Sequence, residues 1–409
     1  MSTFSGFFAE IPGISADRFI EVNRTQSQVF FLSHCHMDHM HGLHLEDSLP
    51  GPLYASPISG VFLKHRFPQV AGNIRTVEIG ETISIPLEPV EHAPSEHPRD
   101  LQVTTVPAGH CPGSVMFLFQ TNHHKVLYTG DFRLSPKDLR NILPLRNLSP
   151  DVIYLDTTFF LPQYRYLPPQ SGSLSKLTEL CQEWLSLNPQ NVVSLKLPAL
   201  YGSEFLFIEL SRRLRHKIHV KREELQSYRF LTSLDDAVTA GDPAGTRIHA
   251  CLGTHSAPKG NLPCQPTLDG KYIRVIRPSA LRWRGLNPSD PICRRLRNDR
   301  EEFSVCYSNH ASYGELEDFL RYLRPHAVRF NVVWRDDPGG EKMSQLVGEV
   351  CPWLTQRKDG AGQSEEGEFN FDGIVYQSRE DSKKDKLFSD EDSDGEEAVI
   401  EHLPKRIRS

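Results

Sequence analysis

Short apolar runs recur through the first 156 residues, each closed by glycine, proline or a cluster of polar side chains. The runs at 29–32, 82–85, 101–106, 115–119, 126–128 and 152–155 are too short for helices and rich in β-branched and aromatic residues, so they predict strands. The stretch 88–99, with three prolines, predicts a loop. Polar residues gather just after several of the runs, where α/β sheets place their sites.

The pattern changes after residue 159. A proline-rich connection over 161–169 leads into helix-like stretches at 174–187 and 203–214. Strand-like stretches at 192–197, 218–220, 247–251 and 272–276 accompany them. Together they predict a second α/β unit over 159–303, inserted after a first unit at 1–158. A strand at 303–307 follows. Next comes a helix with Leu316, Phe319, Leu320 and Leu323 on one face at i, i+3, i+4, i+7, then a buried strand at 328–334. The chain thus returns to the first unit over 304–356. From 357 to 409 it is rich in Glu, Ser, Asp and Gly and reads as a disordered acidic tail. No internal repeat is present.

Charge sharpens this division. The net charge of -6 resides in the tail: nine Lys/Arg and fifteen Asp/Glu lie beyond residue 356, leaving 37 basic and 37 acidic residues in the body. A neutral body still allows a nucleic-acid partner, because the local face decides. The inserted unit holds the basic stretches, with Arg212, Arg213, Arg215, Lys217, Lys221 and Arg222 in one and Arg274, Arg277, Arg282 and Arg284 opening the other. No apolar run approaches the ~18–20 residues of a membrane span, and the N-terminus lacks the basic and apolar regions of a secretory signal. Eight cysteines without disulfide-scaffold spacing are expected to be reduced, some as metal ligands.

The chemistry concentrates where the first strand ends. Residues 31–42 read F-L-S-H-C-H-M-D-H-M-H-G. His34 and His36, at i and i+2 in extended backbone, project to one side and can share a cation. Asp38 and His39 lie just beyond and can serve a second. Residues 103–113 (V-T-T-V-P-A-G-H-C-P-G) present His110, and residues 127–133 (L-Y-T-G-D-F-R) deliver Asp131 at a strand end. Two carboxylate oxygens can bridge two ions. His34, His36, His110 and Asp131 are therefore expected to hold one ion, and Asp38, His39 and Asp131 the other. Mixed N/O ligation suits Zn²⁺ and tolerates Mn²⁺, and open positions make such a site catalytic. His41 and His44 are expected on a following helix without a role.

H-x-H-x-D-H, a lone His, then a strand-terminal Asp resembles the metallo-β-lactamase fold. The fuller phrases F-L-S-H-C-H-M-D-H, A-G-H-C-P-G-S-V-M-F-L-F, L-Y-T-G-D-F-R and Y-L-D-T-T-F are similar to the DNA cross-link repair nucleases with a β-CASP insertion. The start, with I-S-A-D-R-F, resembles the Artemis branch, and the resemblance covers about 1–356. It implies an αββα sandwich with an inserted α/β β-CASP domain. It also implies that Asp17 braces the ligands, that Asp156 in Y-L-D-T-T sits beside the metals, and that His310 in S-N-H-A-S-Y meets the substrate phosphate or leaving group. Ala311 stands where the family usually has Ser. The strand F-N-V-V-W lacks the His of RNA-processing members, which favours DNA.

The resemblance further implies a structural zinc held by His219, His249, Cys251 and Cys264. Spacing alone leaves His255, Cys293 and Cys306 as alternative ligands, because no C-x₂-C anchors the set. The implied activity is metal-dependent hydrolysis of DNA phosphodiesters at ends, overhangs and hairpins, with Zn, Mn or Mg as the catalytic ions. Implied partners are DNA, a DNA-dependent protein kinase and end-joining factors. A nuclear, monomeric protein without membrane contact is expected. Ser389 and Ser393 in K-L-F-S-D-E-D-S-D-G-E-E are candidate phosphorylation sites.

Overall fold

The computed structural model describes residues 2–45, 47–89, 99–197, 203–251 and 262–356. The tail with Ser389 and Ser393, His255 and most of the loop at 88–99 lie outside the described residues.

Side-chain alternation along the strands determines the layering. Val115, Phe117 and Phe119 enter one apolar cluster, and their neighbours Met116 and Leu118 enter another on the opposite face. Val126, Tyr128, Val152 and Tyr154 follow the first set, and Leu127, Ile153 and Leu155 the second. Period-two alternation with both phases apolar is the signature of a sheet covered on both sides. This sheet has six strands, in the order Ala327–Phe330, Val152–Leu155, Lys125–Tyr128, Val115–Gln120, Asp100–Pro107, Thr82–Pro86. One face packs on Leu316, Phe319, Leu320 and Leu323 of helix Tyr313–Leu323 and on Val347 and Val350 of helix Glu341–Val350. The other meets a parallel four-stranded sheet of Ile14–Ala16, Val29–Phe31, Leu53–Ala55 and Ile74–Thr76. The outer face of that sheet is covered by Leu63 of helix Pro57–Arg66 together with Phe67 and Val70. The result is an αββα sandwich.

The inserted unit is a seven-stranded sheet, parallel except for the edge strand Cys293–Arg295. Helices Gln170–Leu187, Glu204–Leu214 and Thr232–Ala237 pack on it through Leu177, Leu206, Leu210 and Leu234. Two expectations change. Glu302–Val305 pairs with Ile273–Pro278 inside the insertion's sheet, so the chain leaves the insertion after Val305 rather than at 303. The strand expected at 328–334 is Ala327–Phe330, an edge strand of half-buried and exposed side chains. No helix among the described residues is long and apolar enough to cross a membrane.

Candidate metal centres

Strand Val29–Phe31 runs into the His-rich loop, and one helical turn, Met37–His39, closes it. His41 and His44 follow in turns and not on a helix. Asp17, at the end of Ile14–Ala16, holds a left-handed backbone (φ 55°) that turns its carboxylate under this loop. It accepts from Ser33 N (2.7 Å), Ser33 Oγ, Tyr128 Oη (2.7 Å) and His39 Nδ1 (2.7 Å). Gly130 presses on the same loop: a Cβ there would lie 2.6 Å from Ser33 Oγ, so only glycine lets Asp131 arrive.

Asp131 is the centre of the cluster. Its Oδ2 lies 3.6 Å from both His34 Nε2 and His110 Nε2, and its Oδ1 lies 3.3 Å from His39 Nε2. His36 Nδ1 is 3.1 Å from His110 Nε2. Ligand atoms of His34, His36, His110 and Asp131 all lie within 4.8 Å of one another. Asp38 joins on the other side, its Oδ2 3.8 Å from His39 Nε2 and accepting from the Ser2 backbone N–H at 3.0 Å.

These residues fit divalent ions. His110 Nδ1 donates to the Asn309 carbonyl (2.9 Å) and His39 Nδ1 to Asp17, which leaves the Nε2 of His110, and that of His39 when its ring is neutral, as a lone pair facing a carboxylate. Two acceptors face to face repel unless a cation lies between them. The Nε2 atoms of His34, His36 and His39 are buried without a hydrogen-bond partner, a cost that ligation removes. Burial and neighbouring imidazoles push His34 well below its usual pKa, His36 down to about 3 and His110 to about 4, so all three are neutral donors. Burial also opposes charge on His39, but Asp131, Asp38 and Asp17 outweigh it and raise its pKa: the pocket calls for positive charge.

A second donor group lies in the insertion. His219 and His249 are paired in register on adjacent strands, with rings 5.5 Å apart. Cys264 Sγ is 3.1 Å from Cys251 Sγ and 3.3 Å from His249 Nδ1. That sulfur separation is too long for a disulfide, which needs about 2.05 Å. His219 Nδ1 and His249 Nε2 are again buried and unpartnered. Four N/S donors within 4.8 Å leave no position for water, the pattern of a structural site. Cys293, on the strand at the far edge of the sheet, and Cys306 are not part of this donor group.

Comparison with known proteins gives this geometry a family. A beta-lactamase superfamily domain matches residues 18–195, and a DNA repair metallo-beta-lactamase domain matches 234–334. "Protein artemis" of Homo sapiens is 37% identical over 373 residues, covering 86% of this chain and 52% of that protein. The Gallus gallus protein of that name is 36% identical, covering 86% and 50%. "5' exonuclease Apollo" of Mus musculus is 31% identical, covering 74% and 50%. The chain belongs to the Artemis-like metallo-β-lactamase/β-CASP family. It spans about half the length of the curated relatives it matches.

Family resemblance also assigned roles to Asp156 and His310, and the structure brings both to the centre. His310 Nδ1 is 2.8 Å from Asp156 Oδ2, and its Nε2 is 3.9 Å from Asp131 Oδ2. Thr158 and the Phe132 amide hold the rest of the Asp156 carboxylate. Burial opposes a charge on His310, but Asp156 and Asp131 raise its pKa to about 9. Ala311 packs in the helix core and donates its N–H to the Phe132 carbonyl.

One DNA-binding expectation is overturned. Arg274 is 3% exposed. It bonds Glu301 (2.7 Å), Glu183 and the Leu180 carbonyl and stacks on Trp184 and Phe303. A guanidinium so enclosed cannot grip a backbone. Arg212 and Arg213 pair with Glu209, Arg277 pairs with Glu302, and Lys217 donates to the Asp235 carbonyl. Arg215, Arg282 and Arg284 are exposed.

Two residues outside the motif reading matter as well. Besides the Ser2 amide on Asp38, Arg133 is buried between sandwich and insertion. It bonds Leu167 and Pro168 carbonyls on the way in, the Ser308 carbonyl on the way out, and Glu315. Its position in T-G-D-F-R, two residues after Asp131, was the available signal.

Proposed function

We propose that the chain is a metal-dependent deoxyribonuclease that hydrolyses phosphodiesters at DNA ends, overhangs and hairpins in non-homologous end joining. The observation that carries this reading is Asp131, one of whose oxygens lies 3.6 Å from the buried Nε2 atoms of His34 and His110 and the other 3.3 Å from that of His39. Bound there, divalent ions would lower the pKa of water to near neutrality and offset charge on the phosphoryl oxygens.

The chain's own groups supply the rest. Asp17 and Asn309 fix which nitrogen of His39 and His110 carries the proton. Asp156 does the same for His310, directing Nε2–H toward the centre. From there His310 can donate to a phosphate oxygen or give its proton to the leaving oxygen as the P–O bond breaks. Water supplies the oxygen of the new P–O bond. Asp38, held by the Ser2 amide, completes the second ligand set.

Zinc is the favoured ion of the closed cluster in the insertion, and Zn, Mn or Mg those of the open centre. Exposed Arg215, Arg282 and Arg284, with Arg212, Arg213, Lys217 and Arg277, would contact backbone phosphates. That predicts structure-directed cutting with strong salt dependence. A nuclear location, a monomeric state, a DNA-dependent protein kinase and end-joining partners complete the proposal. The absence of His from F-N-V-V-W supports DNA over RNA.

The test is cleavage by the full chain of a DNA hairpin, a 5′-phosphorylated single-stranded overhang and a matched RNA, with Asp38→Asn as the blank. Cutting of DNA that vanishes in the blank is the expected result. Cutting of RNA alone overturns the substrate, and no cutting by a metal-loaded chain overturns the activity.

A further inference from the structure

The insertion joins the sandwich through two chain crossings, and one buried side chain holds both. Arg133 stands two residues after Asp131 and is 8% exposed. Its Nη2 donates to the Leu167 and Pro168 carbonyls at 3.2 and 3.0 Å, where the chain enters the insertion. Its Nη1 donates to the Ser308 carbonyl at 2.9 Å, where the chain comes back. Nε and Nη2 also meet Glu315, whose Oε2 takes the Ser312 N–H at the start of helix Tyr313–Leu323. One carboxylate balances the charge; the three carbonyls are a matter of shape. Only a planar fork of five N–H groups spans them, and the single nitrogen of a lysine does not.

Ser308 carries this clamp to the centre. Its Oγ accepts the His310 N–H at 3.0 Å and donates to the His310 carbonyl at 2.8 Å, so the two residues form one tight unit. Between them, the Asn309 carbonyl takes His110 Nδ1, and its Oδ1 takes Gln170 Nε2 at 3.0 Å from the first residue of helix Gln170–Leu187. Asp156 orients the His310 ring, but the backbone that carries the ring hangs from Ser308, and Ser308 from Arg133. The His110 loop rests on Arg133 too, through the main chain. The Arg133 N–H donates to the Ala108 carbonyl at 2.9 Å, and a Cβ at Gly109 would lie 2.4 Å from the Arg133 carbonyl. Replacing the side chain leaves those main-chain contacts in place.

We propose that Arg133 is a positioning residue. By clamping the entering and returning crossings together it sets where His310 stands over Asp131, so the seating of the insertion governs the rate of the chemical step. The inference rests on the nuclease reading and deepens it. Moving a reacting group by about 1 Å costs about 10²-fold in rate. The metal ligands do not hang from the guanidinium, so their hold on metal is unchanged.

The experiment uses the full chain and a 5′-phosphorylated single-stranded overhang. Arg133→Lys should lower kcat about 10²-fold and leave KM and metal content as they were. The deciding measurement is the cycle with His310→Ala. A residue that acts through His310 slows the His310→Ala chain no further, whereas one that only supports the fold or the metals adds its loss to any background. Should Arg133→Lys fail to fold, Gln170→Ala, at a half-buried helix start, reads the same segment. Its loss should be about threefold, that of one hydrogen bond, and should likewise vanish with His310→Ala. Losses that multiply, a raised KM with kcat unchanged, or lost metal would overturn the inference. A wild-type chain that cuts nothing would remove the nuclease reading, and this inference with it.

Discussion

The sandwich and the insertion both gather histidines and other metal-type donors, but they finish them differently. In the sandwich the donors arrive on loops at the ends of separate strands, and carboxylates outnumber what the local cations can neutralise. Asp17, Asp38 and Asp131 surround one buried His39 and raise its pKa. In the insertion His219 and His249 sit in register within a sheet, beside two thiols and no carboxylate. The insertion also settles its buried charge internally, with Arg274 enclosed by Glu301, Glu183 and two aromatic rings. Where polar groups are left facing one another, chemistry is possible; where each is matched, the fold gains stability and nothing reacts.

The largest effect that separates the two follows from Asp131→Asn. One carboxylate oxygen becomes an amide donor facing the imidazole nitrogens. Turnover should fall roughly 10³-fold or more, while the thermal midpoint hardly moves. Metal content and DNA cleavage, measured on one preparation, check this. Substantial activity in Asp131→Asn would dissolve the distinction between an open and a closed cluster.

The mirror experiment is His249→Ala. It should lose one metal per chain and cost several kcal/mol of stability, because ligation in a closed site is folding free energy. Cleavage per folded molecule should be retained at low temperature. Elemental analysis and a denaturant titration read both quantities. An unchanged unfolding midpoint would mean that the cluster is a packed core of thiols and imidazoles.

Sequence legibility divides along the same line. The central strands of the six-stranded sheet were visible because both alternating phases are apolar, as at Val115–Gln120, and Thr82–Pro86 because polar and apolar side chains alternate. Ile14–Ala16, Leu53–Ala55 and Ile74–Thr76 were not, since three residues cannot display a period. The residues His34, His36, Asp38 and His39 were legible because they sit in one motif. Their supports were not: the Tyr128 hydroxyl reaches Asp17 across 111 residues, and the Ser2 amide reaches Asp38 from the N-terminal segment. Arg274 misled for the same reason. Its partner Glu301 lies 27 residues away, so a run of arginines looked like a surface when one of them was core.

Arg274→Ala turns that misreading into a test. Removing the guanidinium strands Glu301 and empties the space between Trp184 and Phe303, at a cost of about 3 kcal/mol. The salt dependence of DNA affinity should not change. Arg282→Ala, at an exposed position, should lower the salt slope by about one and leave stability intact. If Arg274→Ala flattened the salt dependence and Arg282→Ala did not, the assignment of the buried arginine to the insertion's framework would be wrong.

The finest distinction lies within the open centre itself, between a ligand and its brace. Asp17 touches no substrate, yet its carboxylate accepts from His39 Nδ1, Ser33 and Tyr128. Asp17→Asn keeps the shape but replaces an acceptor with an NH₂ donor. With its amide oxygen toward His39 the NH₂ meets the Ser33 N–H, and with the amide reversed His39 must move its proton from Nδ1 to Nε2, which blocks the nitrogen that faces Asp131; either way the charge that holds the ring is lost. Metal affinity should fall about 10–100-fold, measured by competition with a chelator, and excess metal should restore turnover. Asp131→Asn should not be rescued in this way. An Asp17→Asn chain with undiminished metal affinity would show that His39 keeps its tautomer without help, and the brace would then belong to the fold alone.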